Sequence, residues 1–193
     1  MSFDYAAAED AVRAWVKTGT GFDDAHVIFD AQDGNRPSGS YATVKLNGIK
    51  TVGLDGTETT YDDQADAGEE ISITHQGDRE FDVIVTIFSR ASSEGASSTT
   101  GAASARAIAG ATQTALNLSS VRSGFKTAGI SCFDYGEITS VPEIFNADFQ
   151  GRSVLTAHFY AVDTLVEKTG YIAQVNGTSN LAGVSKDYTI KIG

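Results

Sequence analysis

The sequence predicts an α+β fold: a mainly antiparallel or mixed β-sheet with an N-terminal helix and a central helical pair packed on one side. Three observations predict it. An amphipathic helical period opens the chain, a group of alternating and β-branched segments follows, and an Ala-rich helical stretch separates these from a second group of strands. The order helix, strands, helices, strands, with hairpin signals predominating, suits helices segregated to one face of a sheet.

The opening helix rests on Tyr5, Ala8, Val12, Trp15 and Val16, which recur at spacings of three or four with Glu9, Asp10, Arg13 and Lys17 on the other side. Ser2 or Asp4 caps its start, and Thr18-Gly19-Thr20-Gly21 ends it. His26–Phe29 is a short strand closed by the turn cluster Asp33-Gly34-Asn35-Arg36-Pro37. Tyr41–Leu46 alternates, with Ala42, Val44 and Leu46 on one face; Asn47-Gly48 then reads as a hairpin tip, with Ile49–Leu54 beyond it. Glu70–Gln76 and Phe81–Ser89 flank Gly77-Asp78-Arg79, a second hairpin signal. Phe81–Phe88 is interrupted only by Asp82 and Thr86, which implies cover on both faces.

A Ser/Gly/Thr-rich loop spans about 89–101, a helix fits Ala102–Leu118, and Ser119-Ser120 caps a short helix with Val121 and Phe125 one turn apart. Ser153–Leu165 and Gly170–Gly177 read as a further hairpin turning at Val166–Thr169. A polar loop at Thr178–Gly183 then leads to a terminal strand at Tyr188–Ile192, within a C-terminal extension over about 179–193. No repeat or linker divides the chain, so residues 1–193 are expected to form one domain.

Composition narrows the function classes. With 41% apolar and 20% charged residues, the 193-residue chain is an ordinary globular one that needs no staple to fold. Its single cysteine, Cys132, excludes an intrachain disulfide and a Cys-based zinc cluster. No apolar run exceeds four residues, too short for a membrane helix, and the N-terminus has no signal-peptide pattern, so assembly in the cytoplasm is expected. The net charge of -11 lies wholly in residues 1–96, which hold 18 acidic and 7 basic residues. Asp55–Glu80 alone holds nine carboxylates against Arg79. Without a basic stripe, the chain is no sequence-reading DNA binder and no ligand for anionic membrane. Solubility is the plain reading of this acidity.

Signatures of catalysis are missing. His26, His75 and His158 are each placed in strands, without the His-x3-His spacing of zinc hydrolases, although His75 and His158 could meet across a sheet. No G-x-S-x-G elbow or Walker loop is present. Asp62-Asp63-Gln64-Ala65-Asp66-Ala67-Gly68-Glu69-Glu70 lacks the ligand spacing of a calcium loop. Cys132 has no sequence neighbour that lowers its pKa and reads as a core thiol. No cofactor is expected.

Four stretches taken together resemble the neck or tail terminator proteins of tailed bacteriophages. They are Ala11–Val16 running into Thr18-Gly19-Thr20-Gly21; Val27–Pro37 followed by Tyr41-Ala42-Thr43-Val44; Phe81–Phe88 followed by an Ala/Ser-rich helix and Leu118-Ser119-Ser120-Val121-Arg122; and Ser153–Leu165 into Thr169-Gly170-Tyr171-Ile172. The resemblance implies a non-enzymatic virion protein that forms a six-fold ring. Such a ring caps the tail tube, joins it to the head-side connector and lets double-stranded DNA pass without sequence-specific binding. Under it, Asp62, Asp63, Asp66, Glu69 and Glu70 are candidates for an acidic lumen or rim, and Arg36, Tyr41 and Arg90 for inter-subunit contacts, together with the Ser92–Thr100 loop. The alternatives are another virion ring component, either a head-completion adaptor or a tail-tube protein, and a small acidic hydrolase or ligand-binding enzyme.

Overall fold

A computed structural model describes the chain except residues 1–2, 32–35, 63, 67–68, 91–97, 142, 146–147, 171–173, 182–183 and 192–193. Side chains of 90, 98–103, 143–145, 148–149 and 174–191 also lie outside the description. The described elements run in chain order: α1 Tyr5–Thr20, β1 Val27–Phe29, β2 Tyr41–Tyr61, β3 Ile71–Arg90, α2 Ser98–Ala115, α3 Ser119–Thr127, β4 Ile130–Tyr135, β5 Thr139–Ser140, β6 Glu143–Phe145, β7 Asp148–Thr169, β8 Gln174–Leu181 and β9 Val184–Lys191. The sheet follows β1-β2-β3-β7-β4, with β5 and β6 also on β7, while β8 and β9 form a separate antiparallel pair.

The sheet is mixed. β1 runs parallel to β2 (Val27 opposite Ala42), whereas β4, β5 and β6 are antiparallel to β7. Side-chain contacts fix the sense of the remaining pairs. Lys50 meets Glu80, Thr57 meets His75 and Thr60 meets Ser72, one number falling as the other rises. Likewise Arg79 meets Asp163 and Asp82 meets His158. Both series mark antiparallel neighbours.

Two compact units emerge: one of residues 2–54 and 77–163, the other of residues 1, 55–76 and 164–193. The first holds the described core. Asp4 caps α1 by accepting from the Ala7 N–H at 3.1 Å, and Gly21 ends it in the left-handed conformation at φ 74°, as the sequence led one to expect. The helix buries Ala8, Val12, Trp15 and Val16. These meet the inward alternates of β3 (Phe81, Val83, Val85, Ile87) and of β7 (Leu155, Ala157, Phe159, Ala161). Phe81 stacks on Phe159 at 5.5 Å, and Phe125 of α3 meets Phe159 edge-on at 5.1 Å. Each fully buried Val, Leu, Ile or Phe among them contributes roughly 1.5–3 kcal/mol. The Trp15 indole N–H donates to the Thr112 carbonyl at 2.8 Å, tying α1 to α2 where a bare carbonyl would otherwise be buried.

Several expected turns are strand instead. Asn47-Gly48 is no hairpin tip: β2 continues to Tyr61, with Gly48 at φ 65° and Gly53 at φ 75° taken up within it. Gly77-Asp78-Arg79 lies inside β3, and Val166–Thr169 lies inside β7. Thr178–Leu181 belongs to β8, so the closing hairpin is β8–β9. The physical reason is shared. A polar Gly- or Glu-containing tetrad permits a turn, but a ladder bond for every residue favours continuing the strand. α2 begins at Ser98, inside the Ser/Gly/Thr-rich segment, and α3 is capped at Leu118 without a side-chain bond. His26 lies in a turn just before β1.

Candidate functional site

The acidic segment forms the turn between β2 and β3. The Asp62 N–H donates to the Glu70 carbonyl at 2.9 Å, and the Glu69 N–H donates to the Asp66 carbonyl at 2.9 Å. The Asp62 carboxylate accepts from the Gln64 N–H at 3.0 Å, an Asx-type brace suited to a tight turn. Asp62, Asp66 and Glu69 are exposed, Glu70 is half-buried, and Asp63 lies outside the described residues. Glu69 pairs with Lys168 at 2.7 Å, which raises the lysine pKa. Among the described residues, no group of three or more His, Cys, Asp or Glu is arranged to hold a metal.

A second feature lies on the sheet face opposite the helices. Ala42 and Val44 enter the core, so Tyr41, Thr43 and Lys45 point the other way, beside Ile84, Thr86 and Phe88 of β3. Tyr41 stacks on Phe88 at 4.6 Å with only 15° between rings. The guanidinium groups of Arg36 and Arg152 stand 6.0 and 5.7 Å from the Phe88 centroid. The resulting pocket of about 480 Å³ gathers Arg36, Lys45 and Arg152, with Asp30 its one lining carboxylate. Attraction to the ring face favours both guanidinium groups near Phe88, and two forks plus an ammonium suit recognition of carboxylate or phosphate.

Of the three expected inter-subunit contacts, the structure brings Arg36 and Tyr41 together. The Arg90 side chain, at the end of β3, and most of the Ser92–Thr100 loop lie outside the described residues. Lys45 and Arg152 were missed. Alternation along β2 places Lys45 on the face of Tyr41 and was a usable signal; nothing local marks Arg152.

A third feature is a groove of about 710 Å³ between α3 and β4. Phe125, Ile130 and Cys132 line it, with Phe133 and Tyr135 exposed and Arg122 and Lys126 one helical turn apart. Cys132 is half-buried rather than a core residue, and this partial burial pushes its thiol up to about 11. Arg122 is held by the Leu116 carbonyl and by Asn117 Oδ1.

The histidines have separate partners. His158 Nδ1 lies 2.7 Å from Asp82, His75 reaches Thr57 and Glu167, and His26 pairs with Asp23 at 2.6 Å. Among the described residues, His75 and His158 therefore have different partners.

The described residues thus present a charged, stacked face, a groove with an apolar floor and an exposed acidic turn. The sequence over residues 6–183 matches the family described as Phage neck terminator protein, and the chain belongs to that family. It is a structural protein of the virion neck. No curated protein matches the sequence. Among solved structures, a chain of the virion of a native gene transfer agent particle is similar at 18% identity and a TM-score of 0.33, over 83% of this chain and 99% of that one.

Proposed function

We propose that the protein closes into a six-fold ring, assembled in the host cytoplasm, that caps the tail tube. The ring joins the tube to the head-side connector and leaves a channel for double-stranded DNA. Membership of the neck terminator family across residues 6–183 is the observation that carries this reading. A ring of identical copies needs a contact that is not self-complementary, so that each copy offers one surface to a neighbour and a different one to the next. The cationic pocket around Phe88 supports such a role: Arg36 and Tyr41, joined by Lys45 and Arg152, are suited to receive carboxylates of an adjacent subunit. Arg90 belongs to the same proposal on sequence grounds.

The acidic turn is assigned to the channel lumen or its rim. Six copies of Asp62, Asp63, Asp66, Glu69 and Glu70 would place roughly 30 carboxylates near the passing duplex, repelling phosphate so that DNA does not stick. Native mass spectrometry and negative-stain images of the protein with tail tubes test the ring; open-ended polymers would overturn it in favour of a tube protein. Replacing Asp62, Asp63 and Asp66 by Lys is expected to slow genome ejection while rings still form. Unchanged ejection kinetics would remove the lumen assignment.

A further inference from the structure

The α3–β4 groove is out of character with its chain. In a protein of net charge -11, its lining contains Arg122 and Lys126 and no carboxylate. Its floor is apolar, and Phe133 at its rim is 59% exposed. β4 is the last strand on the sheet path, so among the described residues its outer edge has no neighbouring strand, and β4 itself lines the groove. An occupant must therefore be extended, partly apolar and acidic.

The chain itself carries such a segment. Along β2, every residue from Ile49 to Tyr61 is exposed, and Leu54 is 98% exposed, the most extreme of the large apolar residues described. Leu54 and Glu58 share one face of β2 by strand alternation. Leu54 supplies an apolar side chain with nothing to cover it, and Glu58 supplies a carboxylate on the same face. Lys126 is exposed at the end of α3, where its ammonium makes no ion pair among the described residues.

We propose that in the ring the β2–β3 ribbon of one copy lies in the α3–β4 groove of the next, Leu54 on the apolar floor and Glu58 against Lys126. The inference rests on the ring reading and names its interface. The contact is heterologous, ribbon to groove, so each copy gives one and receives one, as ring closure requires. It draws on Leu54 and Glu58 and leaves the carboxylates of the turn available to the channel.

The test combines charge exchange with mapped cross-linking. Lys126→Glu and Glu58→Lys are each expected to raise the concentration at which rings form roughly tenfold, as loss of a complementary charge pair does. The double variant should restore assembly to within about twofold of wild type. Intrinsic Trp15 fluorescence confirms that each variant is folded. A benzophenone amino acid at position 54, in rings mixed from isotopically light and heavy copies, should cross-link between copies to α3 or β4. Hexamers whose cross-links land instead on the Phe88 pocket or on another ribbon, or whose charge exchange restores nothing, overturn this inference and leave the ring reading intact. A chain that forms no ring, with or without tail tubes, overturns both.

Discussion

Replacing Gly19 by Ala tests the account of how α1 packs on α2. A Cβ built at Gly19 would stand 2.4 Å from the Thr112 Cα, 3.0 Å from its Cβ and 3.1 Å from its Cγ2. The nearest of these atoms is backbone, so no rotamer change relieves the clash, and the helices must part. Parting also stretches the 2.8 Å bond from the Trp15 indole to the Thr112 carbonyl. Overpacking of a tight core costs about 1–3 kcal/mol, and a backbone obstacle places this case at the upper end. The better helix propensity of Ala offsets about 1 kcal/mol, leaving a net loss of about 2 kcal/mol. For a chain of this size that lowers Tm by roughly 4–8 °C. Gly110 of α2 is the matched control, since a Cβ there meets nothing within 4 Å. Gly110→Ala should raise stability by up to about 1 kcal/mol. Thermal and urea unfolding followed by fluorescence of Trp15, the one tryptophan, read the contact directly. Equal stabilisation by both substitutions would refute the close approach.

Two further predictions follow from titrating groups. The hydrogen bond to Asp23 raises the His26 pKa above 6.5, and the bond to His26 lowers the Asp23 pKa below 3.8. The His26 contribution is therefore complete below pH 6.5 and lost as pH rises through the raised value, while the Asp23 contribution is present above pH 3.8 and lost as pH falls through the lowered one. The pair stabilises most between those two pH values. An NMR titration should find His26 above the free value and returned toward it by Asp23→Asn; an unshifted wild-type histidine contradicts the pairing. Cys132, with its thiol pushed up to about 11, should be alkylated at pH 8 more than about tenfold slower than a free cysteine. A rate equal to that of free cysteine would show the thiol to be exposed.

Much of the fold was legible because its signals are local. The spacing of Val12, Trp15 and Val16 gives the buried stripe of α1, and Asp4 and Gly21 mark its ends by chemistry that acts over a few residues. The length of the strands was not legible. Gly48, Gly77 and the Val166–Thr169 stretch look like turns in isolation, and only pairing across the sheet decides that the chain runs straight on. The candidate surfaces divide in the same way. Arg36 and Tyr41 could be singled out beside a turn cluster, but their company with Arg152 depends on β3 bringing Phe88 between two distant parts of the chain. The groove was invisible because α3 and β4 each contribute an unremarkable half: Arg122 and Lys126 on one, Phe133 and Tyr135 on the other.

A strand as long as β2 carries a hazard of its own. β1 covers only Ala42–Val44 of it, and among the described residues nothing pairs with the outer edge beyond. A long open edge is a template for fibre growth, one copy's edge strand pairing with another's. β2 carries two safeguards against this. Gly48 and Gly53, both at positive φ, interrupt the flat pleat that such pairing needs. The carboxylates of Asp55 and Glu58, with Asp62 just past the strand's end, put like charge on any twin laid alongside. Free copies should therefore accumulate without seeding fibres, and neutralising those carboxylates should increase aggregation.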